Sequence, residues 1–146
     1  MLSDINLRLS DEQAVTASAV SENTIDLGSA RDIGEGHPLY MVFTVTETFA
    51  TLTSLEFQII TDDNAALSSG TSIATSGSIT LAGGGLAAGQ QHTVVIPPQI
   101  ASLGEQYLGA NFAVTGANAT AGKVTTDIVE HIQDGQKFYP SGSVIL

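Results

Sequence analysis

The sequence predicts an all-β protein, a single antiparallel β-sandwich of the jelly-roll type with about eight strands. Three observations predict it. Apolar residues recur with a period of two over short runs rich in Val, Ile and Thr. Turn-forming clusters break those runs roughly every ten to fifteen residues, at Asp62-Asp63-Asn64, Ser76-Gly77-Ser78, Gly83-Gly84-Gly85, Pro97-Pro98 and Gly116-Ala117-Asn118, leaving no room for the crossover helices of a parallel sheet. Hydrophobic residues make up 42% of the 146 against 13% charged, the balance of a chain that buries a core. A chain of this length closes one core, so residues 1–146 form one domain, with an N-terminal arm at 1–10 and a C-terminal tail at 134–146.

In chain order, Ile5, Leu7 and Leu9 alternate with Asn6, Arg8 and Ser10, which gives the arm a strand-like apolar edge. Residues 15–27 read as a broken strand, Ala14-Val15-Thr16 and then Thr24-Ile25-Asp26-Leu27, with a turn at Ser21-Glu22-Asn23. The strongest run is 39–49, where Leu39, Met41, Phe43 and Val45 share one phase and Thr44, Thr46 and Thr48 the other. Leu55, Phe57 and Ile59 alternate with Glu56 and Gln58, and the connection at 51–54 is too short for anything but a hairpin or a bent continuing strand. Further runs follow at 72–81, 91–96, 108–115 and 123–132. Only 64–67 and 98–103 have space for a helical turn. The tail is apolar to its last residue, with Phe138, Tyr139, Val144, Ile145 and Leu146.

Charge and composition exclude several functions. With 15 Asp and Glu against 4 Lys and Arg the net charge is -11, so nucleic acid and anionic membranes are poor partners. The absence of Cys removes disulfides, thiolate chemistry and thiolate zinc sites. No stretch approaches the roughly 20 apolar residues that span a bilayer, and Met1 to Ile5 lacks the basic start of an export signal, so a soluble protein made in the cytoplasm is expected. His37, His92 and His131 fall on different elements without ligand spacing. Asp62-Asp63-Asn64 are consecutive where a calcium loop needs alternating ligands, and read as an Asx turn. No Lys-Ser/Thr follows Gly83-Gly84-Gly85, which reads as a loop tip. Ser141 lacks the glycine of a nucleophile elbow, and the carboxylates are scattered. The expectation is no enzyme, with no catalytic residue, cofactor or metal.

Ile25-Asp26-Leu27-Gly28, Ala30-Arg31-Asp32-Ile33-Gly34, Gly36 and Pro38-Leu39 resemble the small capsid cement (decoration) proteins of short-tailed bacteriophages, the family typified by a Bordetella phage cement protein. The likeness extends over most of the chain, through Thr61-Asp62-Asp63, Ala65-Ala66, residues 72–76, Tyr107-Leu108 and residues 120–125. Two features depart from the family pattern: Gln106 stands where an Arg precedes the Tyr, and the tail is longer. The resemblance implies a jelly roll on the capsid exterior of the virion, bound to the phage major capsid protein as a homodimer at twofold positions.

Candidate contact residues are Ile5, Leu7, Leu9, Arg31, Phe138, Tyr139, Ile145 and Leu146, because the apolar ends are too much to leave in water. The alternative is that these ends pack on their own domain. Two other functions compete. A carbohydrate-binding or host-adhesion module would share the sandwich, but it would use aromatic platforms, and this chain has no Trp and only Tyr40, Tyr107 and Tyr139. A jelly-roll metal enzyme would need clustered His and carboxylates.

Overall fold

A computed structural model describes residues 3–33 and 36–132. Among the described residues nine strands form: β1 (Arg8–Ala14), β2 (Ala19–Val20), β3 (Ile25–Asp26), β4 (Leu39–Ala50), β5 (Ser54–Asp62), β6 (Thr71–Thr80), β7 (Gln91–Ile96), β8 (Tyr107–Thr115) and β9 (Ala121–Val129). All pairings are antiparallel, in two sheets ordered β1-β9-β4-β7 and β2-β8-β5-β6, with β3 also on β8. β2 and β3 lie end to end along β8, Ala19 opposite Phe112 and Ile25 opposite Leu108, so nine segments fill eight strand positions. The chain passes repeatedly from one sheet to the other, and the resulting order is that of a jelly roll.

The period of two is realised where it was strongest. Met41, Phe43 and Val45 of β4 point inward opposite Leu55, Phe57 and Ile59 of β5 and Leu108, Ala110 and Phe112 of β8, all buried. Three phenylalanines tie the sheets together. The Phe43 and Phe57 rings stack at 4.7 Å, and Phe112 meets them edge-on at 6.2 and 6.1 Å. Such pairs add about 0.5–1.5 kcal/mol beyond the area they bury. His92 stacks on Phe57 at 5.3 Å, and its Nε2 lies 2.6 Å from the Gly85 carbonyl oxygen, so its role here is packing. With Leu86 fully buried, that contact anchors the glycine loop after β6.

The N-terminal region differs from expectation. Residues 5–7 wind one 3-10 turn capped by Asp4, whose carboxylate accepts from the Asn6 amide at 2.9 Å. β1 then begins at Arg8, whose guanidinium holds Asp127 of β9 through Nε at 2.8 Å and Nη2 at 3.4 Å. Irregular register follows, with Glu12 at φ 48°. This bulge turns Ser10 and Gln13 inward, where the Ser10 hydroxyl donates to Gln13 Oε1 at 2.6 Å and the Gln13 amide to the Val20 carbonyl at 2.8 Å. A run that reads as polar therefore continues the sheet. The expected strand at 14–16 is absent: Ala14 ends β1, and Val15 is buried with its amide on the Gly122 carbonyl.

Ser76-Gly77-Ser78 is a bulge inside β6, not a turn. Gly77 takes φ 75°, and the Ser76 hydroxyl replaces ladder partners, accepting from the Phe57 amide at 3.1 Å and donating to the Gly77 carbonyl at 2.9 Å. The Asx reading of Asp62-Asp63-Asn64 holds. Asp62 accepts from the Asn64 amide at 3.2 Å, the Ser69 amide at 2.8 Å and the Ser69 hydroxyl at 3.0 Å.

The Ser69 amide, with the other donors, holds the Asp62 carboxyl below its ordinary pKa of 3.8. Thr75 and Gln58 do the same for Glu56, and Gln106 and Gly28 for Asp26. A carboxyl whose folded pKa is depressed contributes stability above its unfolded pKa and loses it as pH falls through the folded value. The melting temperature is therefore expected to fall as acid is added below about pH 4, and Asp62→Asn to make that acid limb shallower. Thermal unfolding of both proteins across that range checks it, and parallel acid limbs would contradict it.

Candidate functional site

One end of the sandwich collects the starts of β1, β4 and β8, the ends of β3, β7 and β9, the described parts (27–33 and 36–38) of the connection between β3 and β4, and the loop 97–106. Between the sheets at this end lies an apolar crevice of about 290 Å³, lined by Leu7, Ile25, Ile33, Leu39, Ile96 and Val129 among others, with Glu130 the one charged residue among the described residues that line it. Ile25, Ile33 and Leu39 are only half-buried. A hollow of about 300 Å³ shares Ile33, Leu39 and Ile96 with the crevice and extends it past Pro38 and Pro98 to Val95. Another, of about 350 Å³, continues from His37 and Pro38 to Tyr40, Glu130 and His131.

The distribution of exposed apolar surface singles out the same end. Among the described residues the exposed large hydrophobics are Ile5, Leu7, Val95 and Leu103, at 72, 38, 51 and 45%. Ile5 and Leu7 precede β1, Val95 pairs with Tyr40 near the finish of β7, and Leu103 closes the 3-10 turn Ala101–Leu103 ahead of β8. All four therefore belong to one end, where scattered single exposures would be unremarkable.

Arg31 is exposed in the loop 27–38. Its neighbours fix that loop against the next: Asp32 accepts from the Ala101 amide at 2.9 Å, and the Ile33 amide donates to the Pro98 carbonyl at 3.0 Å. Gln106 donates its side-chain amide to Asp26 at 2.7 Å and its backbone amide to the Asp62 carbonyl at 3.1 Å. Gln106 thus braces β3 and β5, its side chain through a charge-assisted hydrogen bond to the Asp26 carboxylate.

The candidate contact residues divide. Ile5, Leu7 and Arg31 come together at this end. Leu9 does not belong with them: it is fully buried in the core, because the turn at 5–7 shifts the phase of the arm before β1 begins. Phe138, Tyr139, Ile145 and Leu146 lie outside the described residues. The crevice lining was missed in the sequence, since its residues come from separate segments. Ile33, an apolar residue between Asp32 and Gly34 in a polar loop, was the available signal.

The family described as Bbp16 matches the chain over residues 9–128, from the first core residue of β1 to the penultimate residue of β9. No curated protein matches it. The match bears out the resemblance carried by residues 25–39, and it spans the sandwich while leaving Ile5, Leu7 and the tail outside.

Proposed function

The chain belongs to the Bbp16 family of Bordetella phage proteins, and from that premise we propose that this phage structural protein binds the outer surface of an icosahedral capsid and stabilises it by bridging coat-protein subunits. It does so as a homodimer at twofold positions, with the major capsid protein as its partner, and performs no chemistry. The observation that carries this reading is the gathering of exposed Ile5, Leu7, Val95 and Leu103 at the end of the sandwich that also carries the exposed Arg31. A rim of that composition suits a protein partner. The net charge of -11 is unsuited to packaged DNA. Among the described residues no helix is long and apolar enough to cross a membrane. The placement of His92 on Phe57, and of the Asp62 carboxylate on Ser69, supports a structural use for groups that chemistry could otherwise recruit.

Co-sedimentation with empty shells of the parent phage tests the proposal. The wild-type chain pellets with shells and saturates. Replacing Ile5→Asp and Leu7→Asp removes apolar contacts worth roughly 1.5–3 kcal/mol each when fully buried, so affinity falls at least about tenfold while the melting temperature of the free protein changes little. Unchanged pelleting of the variant would remove the arm from the interface, and failure of the wild type to pellet would overturn the proposal.

A further inference from the structure

We infer that the outer face of the β2-β8-β5-β6 sheet holds a separate site, a groove that binds neutral saccharides through the side-chain amides of Gln58 and Asn111. Alternation puts Glu56, Gln58 and Ile60 of β5 on that face, since Leu55, Phe57 and Ile59 fill the core. The strand register then sets Val20, Asn111, Gln58 and Thr75 side by side in one row across four strands. The connection between β5 and β6 folds over this face as a wall. Between them lies a groove of about 430 Å³, lined by Val20, Gln58, Ile60 and Asn111 on the sheet and by residues 67–70.

Packing fixes the wall in place. Leu67 takes φ 52°, which strains a residue other than glycine, and it is nevertheless buried, pressed on Gly109 where a Cβ would collide with the Leu67 Cδ1. Gly70 lies as close to the sheet, because a Cβ there would come within 2.8 Å of the Ile60 Cδ1. Asp62 holds the Ser69 amide at 2.8 Å, and the Asn64 side-chain amide donates to the Ser68 hydroxyl at 3.3 Å. The groove is thus formed before a ligand arrives, which lowers the cost of binding. Its chemistry suits hydroxyl groups. Asn111 donates to Gln58 Oε1 at 2.7 Å and Gln58 to Glu56 Oε1 at 3.1 Å. These bonds among the described residues orient both amides and leave each a second N–H, and Asn111 its carbonyl oxygen, for a ligand. Neighbouring groups that both donate and accept match vicinal hydroxyls, which do the same. No charged residue is among the described residues that line the groove, and the net charge of -11 disfavours acidic ligands. An extended peptide would add to a sheet edge through its main chain, whereas Asn111 and Gln58 sit on inner strands whose main chain is already paired on both sides. Without an aromatic platform a single site binds weakly, with Kd in the millimolar range. The inference stands apart from the shell reading, and if both hold, repeated copies on one shell raise the avidity.

Nuclear magnetic resonance of the isotope-labelled full-length protein, titrated with maltohexaose, mannohexaose, galactohexaose and chitotetraose, tests the site. At least one sugar is expected to shift the side-chain amide signals of Gln58 and Asn111 and the backbone signals of residues 68–70, saturating in the millimolar range. Gln58→Ala and Asn111→Ala should each raise Kd at least about fivefold with the signals of core residues unmoved. Asn111→Asp, which keeps the shape and removes the N–H donors, should weaken binding likewise if an alanine variant loses its fold. Thr44→Ala, on the other sheet, should leave Kd unchanged. No shift with any of these sugars, shifts confined to other parts of the molecule, or undiminished affinity in the Asn111 variants would overturn the inference. An equal response to polygalacturonate would overturn the neutral class, and a response to tetraglycine in place of the sugars would give the groove to a protein partner instead.

Discussion

Replacing Phe57→Ala is expected to destabilise the protein by about 3–5 kcal/mol, a drop on the order of 10 °C in melting temperature for a domain of this size. Phe57 is fully buried and touches partners on both sheets: Phe43 stacked at 4.7 Å, Phe112 edge-on at 6.1 Å and His92 at 5.3 Å. Removing the ring loses its transfer free energy and leaves a cavity, because Phe43 on β4 and Phe112 on β8 are held by their own ladders and cannot close on it. The effect is concentrated here because the chain has only five Phe and no Trp, and three of the five meet at this point between the sheets. Phe57→Leu, which refills much of the volume, should cost substantially less. Thermal unfolding followed by circular dichroism measures both. A shift of only a degree or two for the alanine variant would mean that the two sheets are held together elsewhere.

What the sequence made legible follows from what period-two patterning can report. Strands β4, β5 and β7 have one face on the core, and their alternation of Val, Ile, Leu and Phe with Thr, Glu and Gln places them to within a few residues. Alternation fails where the backbone leaves the ladder. In β1, Ser10 and Gln13 are buried because they satisfy each other and Val20, so polar identity gave the wrong side. In β6, Ser76 and Gly77 are turn-forming residues used in a bulge, a choice fixed by the Phe57 amide across the strand. Leu9 was assigned to the contact surface since its phase matched Ile5 and Leu7, and the 3-10 turn between them broke that phase. The apolar end was illegible for another reason: Leu7, Ile33, Leu39 and Ile96 meet only through the jelly-roll order of the strands, and pairing order is not encoded in local period.

Shells saturated with this protein are expected to withstand heat that opens bare shells. A protein that binds only the assembled arrangement of coat subunits stabilises that arrangement by mass action, by about 2.7 kcal/mol per site at a hundredfold excess over Kd. A dimer that touches two subunits gains effective concentration for its second contact, so each contact need only be modest. Because the end that carries Ile5, Leu7, Val95 and Leu103 is mainly apolar and Arg31 is the exposed cation of its loop, added salt should weaken the effect without abolishing it. The decisive measurement is the melting curve of purified empty shells with and without saturating protein across a salt series. A higher shell melting temperature is expected with the protein present, reached at an occupancy that parallels binding and reduced moderately by salt. Equal melting of bare and saturated shells would contradict it, and would leave a Bbp16-family jelly roll whose place in the virion is something other than cement.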